Sequence, residues 1–181
     1  MLRKFAGAVA VAALVVTASA SRASAQLPLG YTDIGATIGL GGLGGASLSF
    51  GARGERVIKE LPTLGGGTLG IGVSLDYYSY SSGIANFKFN YRNIPIGATG
   101  NYHFKLTNPK LDAFVGAGLG FNIVTCSYTG VTSSTGCSSS SGLYPIGHAG
   151  GRYFFQPNLA AYADVGAGAA AINVGIMLKV R

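Results

Sequence analysis

Two histidines, two cysteines and six carboxylates are nearly all that this 181-residue chain offers to chemistry, set against thirteen Lys and Arg. Acyl transfer or hydrolysis would need His103 or His148 beside a serine nucleophile and an orienting carboxylate, and no motif places a serine against either ring. The glycine strings Gly65-Gly66-Gly67 and Gly116-Ala117-Gly118-Leu119-Gly120 are not phosphate loops, because no Lys-Ser/Thr follows them and no helix is expected after them. Cys126 and Cys137 have no His, Asp or third Cys nearby to complete a metal site. The residues therefore predict no catalytic group, no cofactor and no metal.

The elements that position these residues begin with an export signal. Arg3 and Lys4, an apolar run from Phe5 to Val16, and Ala23-Ser24-Ala25 before Gln26 have the form of a secretory signal peptide. The run is shorter than the roughly 20 residues of a helical span, so residues 1–25 are expected to be cleaved and 26–181 to form one domain. Export permits a disulfide, and Cys126–Cys137, bracketing the Ser/Thr/Gly-rich stretch 127–136, is favoured over two free thiols. Hydrophobic residues make up 48% and charged residues 10% of the chain, yet the mature part has no long apolar run, which excludes a helical membrane protein. Its 30 glycines disfavour helices and weaken open sheets, a weakness that closure of the sheet would repair. Removing Arg3, Lys4 and Arg22 from thirteen cations leaves ten against six acids. No basic cluster interleaved with aromatics appears, so nucleic acid is not an expected partner.

Apolar residues then alternate with a period of two. Leu69, Ile71, Val73, Leu75 and Tyr77 alternate with Gly70, Gly72, Ser74, Asp76 and Tyr78, and Leu111 to Ile123 alternates with Asp112, Phe114, Gly116, Gly118, Gly120 and Asn122. Ile172 to Val180 does the same to the end of the sequence. The second face is glycine, serine and occasional charge, which suits a narrow lumen better than the outside of a soluble sandwich. Strands are expected at 32–40, 46–53, 69–80, 86–106, 111–125, 143–155, 159–168 and 172–180, with 54–66 as a long connection or a turn with extended strand ends. In the fourth, Phe87, Phe89 and Tyr91 are odd while Ile94, Ile96, Tyr102 and Phe104 are even, so a bulge is expected near Arg92 to Pro95. On that assignment the lumen receives Asp76, Tyr78, Lys88, Arg92, His103, Lys105, His148, Arg152, Tyr162, Asp164 and Lys179.

The segments Asn93-Ile94-Pro95-Ile96-Gly97-Ala98, Pro109 to Gly120 and Gly151-Arg152-Tyr153-Phe154-Phe155 resemble the outer-membrane-protein β-barrel family of Gram-negative bacteria. That resemblance implies an all-β fold, an antiparallel eight-stranded transmembrane up-and-down barrel in the outer membrane, without cofactor and complete as a monomer. Its partners would be outer-membrane lipid and, during biogenesis, the barrel-assembly machinery. Asn173, Gly175, Leu178 and Val180 resemble the last-strand signal read by that machinery, although the family usually ends on an aromatic where Val180 and Arg181 stand here. Three functions follow as expectations: a scaffold with surface contacts, a small-solute channel favoured by the lumen glycines, or a lipid A-modifying enzyme.

Overall fold

A computed structural model describes residues 27–84, 87–129 and 137–181; the expected signal peptide, 1–25, lies outside the described residues. Eight strands follow one another: β1 (Thr32–Leu40), β2 (Leu48–Leu61), β3 (Gly67–Ile84), β4 (Phe87–His103), β5 (Leu111–Thr129), β6 (Gly142–Gln156), β7 (Leu159–Ala167) and β8 (Ile172–Lys179). Each pairs antiparallel with its sequence neighbour, and β8 pairs with β1 to close the barrel. Closure leaves no exposed sheet edge around the ring, so glycine-rich strands that would be weak in an open sheet are held on both sides.

The barrel is inverted relative to a water-soluble protein. Its outward residues include Phe50 (59% exposed), Val73 (59%) and Leu119 (63%), whereas Asp33, His103 and Arg152 inside are at most 2% exposed. Exposed isolated apolar residues need no explanation, but a continuous apolar exterior around a charged interior does.

Connections alternate between two ends. One end, here called the turn end, carries the connections 62–66, 104–110 and 157–158 together with Leu27–Tyr31 and Arg181. Asn108 folds the middle one as an Asx turn, its Oδ1 accepting from the Lys110 amide at 3.0 Å. The other, the loop end, carries 41–47 and 168–171 and the strand ends Ile84, Phe87, Thr129 and Gly142.

Two expectations about strands need correction. The stretch 54–66 is a turn with extended strand ends and not a long connection: β2 continues to Leu61, with a bulge between Val57 and Lys59, and only 62–66 turns. Its charges look loop-like in sequence, but alternation sends Glu55 into the barrel and Arg56 out near the rim. Nor is there a bulge at Arg92 to Pro95, because β4 holds one unbroken register against β5 from Lys88↔Thr129 to His103↔Phe114. What changes there is the surroundings. Above Tyr77, Ile94 and Ile123 the outward face turns to Ser79, Ser81, Asn90, Arg92, Thr125 and Ser127, while the inward face turns to Tyr78, Tyr80, Phe89, Tyr91 and Tyr128. The polarity of the two faces exchanges while the backbone parity continues.

This exchange marks where β3, β4 and β5 leave the apolar belt. The highest β2–β3 pair is Phe50↔Tyr77 and the highest β5–β6 pair is Asn122↔Gly142, so the three strands overhang their neighbours, by roughly 20 Å at about 3.3 Å per residue. Tyr80 and Tyr91 stack on the inner face of the overhang with centroids 5.1 Å apart. The Cys126–Cys137 disulfide, with Cα atoms 5.7 Å apart, ties the segment before β6 to β5, and Ser141 Oγ accepts from the Val124 amide at 3.0 Å.

Candidate functional site

The interior is organised around Arg152 of β6. Its Nε lies 3.0 Å from Asp33 Oδ2 of β1 and its Nη1 donates to Asp112 Oδ2 of β5 at 2.6 Å, while Nη2 donates to Glu55 of β2. A planar fork of five N–H groups can serve three carboxylates at once, which an ammonium point charge does with less geometric definition. His103 of β4 joins two of the same acids, with Nε2 2.8 Å from Glu55 Oε1 and Nδ1 2.9 Å from Asp112 Oδ1. Facing a carboxylate oxygen on each side, the ring satisfies both only by donating from both nitrogens, as imidazolium does. Tyr31 donates to Asp33 at 3.1 Å from the turn end.

A second cluster sits toward the loop end. Arg53 of β2 donates to Asp76 Oδ2 at 3.0 Å and to Asn173 Oδ1 at 3.2 Å, and Asn173 Nδ2 donates to Asp164 at 2.8 Å. Asn101 and His148 bridge the clusters: Asn101 Nδ2 donates to Glu55 at 2.9 Å, and its Oδ1 lies 3.0 Å from His148 Nε2. His148 Nδ1 is 3.5 Å from Asp164, which also accepts from the Tyr162 hydroxyl. Polar side chains from all eight strands thus form one connected network.

Rings complete the filling. The Arg152 guanidinium carbon is 5.2 Å from the Phe114 centroid and 5.8 Å from that of Tyr162, and those two rings stack at 5.8 Å with Met177 packed beside them. Cation–π contact and ion pairing act on the same desolvated cation. The lumen glycines are what make the room. A Cβ on Gly70 would collide with Glu55, on Gly116 with Asn101 and His148, on Gly120 with Tyr144, and on Gly35 with Met177. Glycine on one strand seats a long side chain from the next, so a glycine-rich face accompanies a filled lumen and not an open one.

Both ends are capped. At the turn end Leu27, Tyr31 and Val57 form a buried cluster with Phe154 against it. At the loop end Leu43 (1% exposed) and Ala170 (5%) are buried, and their turns are joined by the Ala171 amide donating to Gly41 O at 3.0 Å. Gly41, Gly42 and Gly44 have φ between 62° and 74°, which lets this tight turn fold back around Leu43. Between cap and network lies a cavity of about 60 Å³ bordered by Arg53, Asp76, Asn173 and Tyr144, room for a few waters.

Of the residues singled out from sequence, Asp76, Tyr78, His103, His148, Arg152, Tyr162 and Asp164 face the interior. Lys88 and Arg92 do not: both are exposed on the outer face of the overhang, where the absence of a bulge puts them. Lys105 lies exposed beyond the end of β4, and Lys179 stands at the turn-end mouth with Nζ 5.7 Å from the Tyr31 centroid. Sequence reasoning did not select Asp33, Arg53, Glu55 or Asp112 for the network. Asp112 was legible, since it sits on the polar face of β5; Glu55 was hidden by its place in an apparent loop. In β8, Asn173 points inward to Asp164, Gly175 pairs with Thr37 of β1, and Leu178 (40% exposed) and Val180 (53%) point outward. Among the described residues no cluster of His, Cys, Asp and Glu suits a metal ion.

No protein-family model matches the sequence, and no curated protein matches it. Among solved structures the chain is similar to Ail, the attachment invasion locus protein of Yersinia pestis. In the complex of Ail with the heparin analogue sucrose octasulfate, the likeness covers 84% of this chain and 96% of that one, at 12% identity and a TM-score of 0.48. In a second structure of Ail it covers the same shares at 11% identity and a TM-score of 0.44. No residue role is transferred from Ail to this chain at that level of likeness.

Proposed function

We propose that this chain is an outer-membrane β-barrel that works as a scaffold for contacts at the cell surface, with its interior sealed against passage. The observation that carries the reading is Arg152, held by three carboxylates and two aromatic rings across the lumen on its turn-end side. Lipid is the solvent that matches the apolar exterior, because closed barrels satisfy every backbone group internally. The short turns and Leu27 then face the periplasm, and the overhang of β3 to β5 faces outward into water, where its serine, asparagine, lysine and arginine exterior is at home. The surface partner acts there, on the overhang and the disulfide-anchored segment. The last strand, with Asn173, Gly175, Leu178 and Val180, is the segment the assembly machinery would engage, and a closed ring of eight strands is complete as a monomer.

Passage of small solutes is the weaker reading because both ends and the middle are filled. Lipid chemistry is weaker still: His103 and His148 point into the network, and their partners are carboxylates and an amide. Planar-bilayer recording tests the scaffold reading. The folded wild-type protein should give no conductance steps, whereas an Arg152→Ala, Phe114→Ala double variant should give small steps if it remains folded. Regular steps from the wild-type protein would overturn the sealed scaffold in favour of a channel.

A further inference from the structure

The distribution of charge between inside and outside is uneven to a degree the composition conceals. Of the six acids, Asp33, Glu55, Asp76, Asp112 and Asp164 are buried and Glu60 alone is exposed. Of the ten Lys and Arg after residue 26, Arg53 and Arg152 are drawn into the network and Lys179 lies on the inward face of β8 at the turn-end mouth, leaving seven cations against one anion on the outer surface. With Lys179 counted, six cations, Arg56, Lys59, Lys105, Lys110, Lys179 and Arg181, lie at the turn end; only Lys88 and Arg92 lie at the other.

Two of the six frame a depression. Lys110 and Lys179 border a hollow walled by Leu27, Pro28, Tyr31, Phe154 and Phe155. Phe155 is also 46% exposed on the outward face, next to Tyr153 at 47%, so the hollow opens onto the belt that faces lipid. Lys179 is steadied against the Tyr31 ring. Apolar walls continuous with the acyl region, crowned by two ammonium groups, match an amphiphile with an anionic head.

We propose that this hollow is a seat for an anionic phospholipid of the phosphatidylglycerol type, its phosphate between Lys110 and Lys179 and its apolar part against Phe155. The inference rests on the membrane reading above and on the turn end facing the inner leaflet. A hydrophilic anionic polymer such as peptidoglycan would use the cations but not the apolar walls, which is why a lipid is favoured. Surface lysines near a bilayer contribute about fivefold each to anionic lipid binding.

The test reconstitutes the full-length mature protein into nanodiscs of equal parts phosphatidylglycerol and phosphatidylethanolamine. The lipid kept after mild detergent release is then identified by mass spectrometry. Insertion is checked first by heat-modifiable electrophoretic mobility; failure to insert would sink the membrane reading itself. For inserted protein, phosphatidylglycerol should be enriched severalfold. Lys110→Gln should reduce that enrichment about fivefold, Lys110→Gln with Lys179→Gln should abolish it, and Lys88→Gln with Arg92→Gln should leave it intact. Equal retention of both lipids, or enrichment unchanged in the Lys110/Lys179 double variant, overturns the proposal. So does cosedimentation with purified peptidoglycan that depends on both lysines in a protein showing no lipid preference.

Discussion

Arg152 holds more of the interior than any other side chain, and its role follows from how costly a lone buried charge is. An ion pair in low dielectric gains little over an apolar filling of the same shape, but losing one partner strands the others. Arg152→Ala leaves Asp33, Glu55 and Asp112 facing one another with only His103, the Asn101 amide and the Tyr31 hydroxyl to offset them. The expected loss is about 3–5 kcal/mol, measured as a shift in the urea midpoint of the barrel refolded in vesicles. Adding Glu55→Gln and Asp112→Asn to that variant should restore part of the loss, because the repulsion it exposes is then removed. A midpoint unchanged by Arg152→Ala would mean that the network fills space without holding it.

At the scale of strands, the governing feature is the exchange of polarity along β3, β4 and β5 at constant register. On the membrane reading proposed above, an outward residue inside the belt meets lipid, and one beyond it meets water. Leu119 lies midway along the apolar stretch of β5 and is 63% exposed, so Leu119→Arg should cost roughly 2–4 kcal/mol. Arg92→Leu, on the outward face of β4 beyond the belt, should change the same midpoint by less than about 0.5 kcal/mol. Equal effects of the two would refute the assigned boundary. The disulfide acts on the overhang alone. Cys126→Ser with Cys137→Ser should leave barrel unfolding unchanged while amide exchange at residues 123–129 becomes faster, because the edge of β5 loses the segment that covers it. Slower unfolding of the whole barrel with the bridge intact would show that the overhang and the ring are one cooperative unit.

For the whole molecule, the distribution of charge decides the solvent. A water-soluble barrel with a ligand cavity would put apolar residues inside and charge outside, the reverse of what is seen here. The mature chain should therefore aggregate when refolded without detergent and recover its strand signal in circular dichroism when micelles are added. A monodisperse folded protein in plain buffer would defeat the membrane reading and every argument about headgroups with it.

Period two was written along the chain, and with it the strand count, the lumen face of most strands and the position of Asp112, because alternation is a local consequence of pleated backbone. The cysteine pair was legible too, from a short polar stretch between two lone thiols. Other features depended on neighbours distant in sequence. The parity of Ile94 against Tyr91 looks the same whether a bulge shifts the backbone or the surroundings change from lipid to water, and only the unbroken β4–β5 ladder distinguishes them. Likewise Arg152 meets Asp33 and Glu55 only because closure of β8 on β1 curves the sheet and brings strands that are not neighbours within reach across its interior, whereas Asp112 is its register partner on the adjacent β5. The sequence determined which side chains point inward; the closed barrel decided which of them meet, since contact across a lumen depends on curvature and register that no single strand encodes.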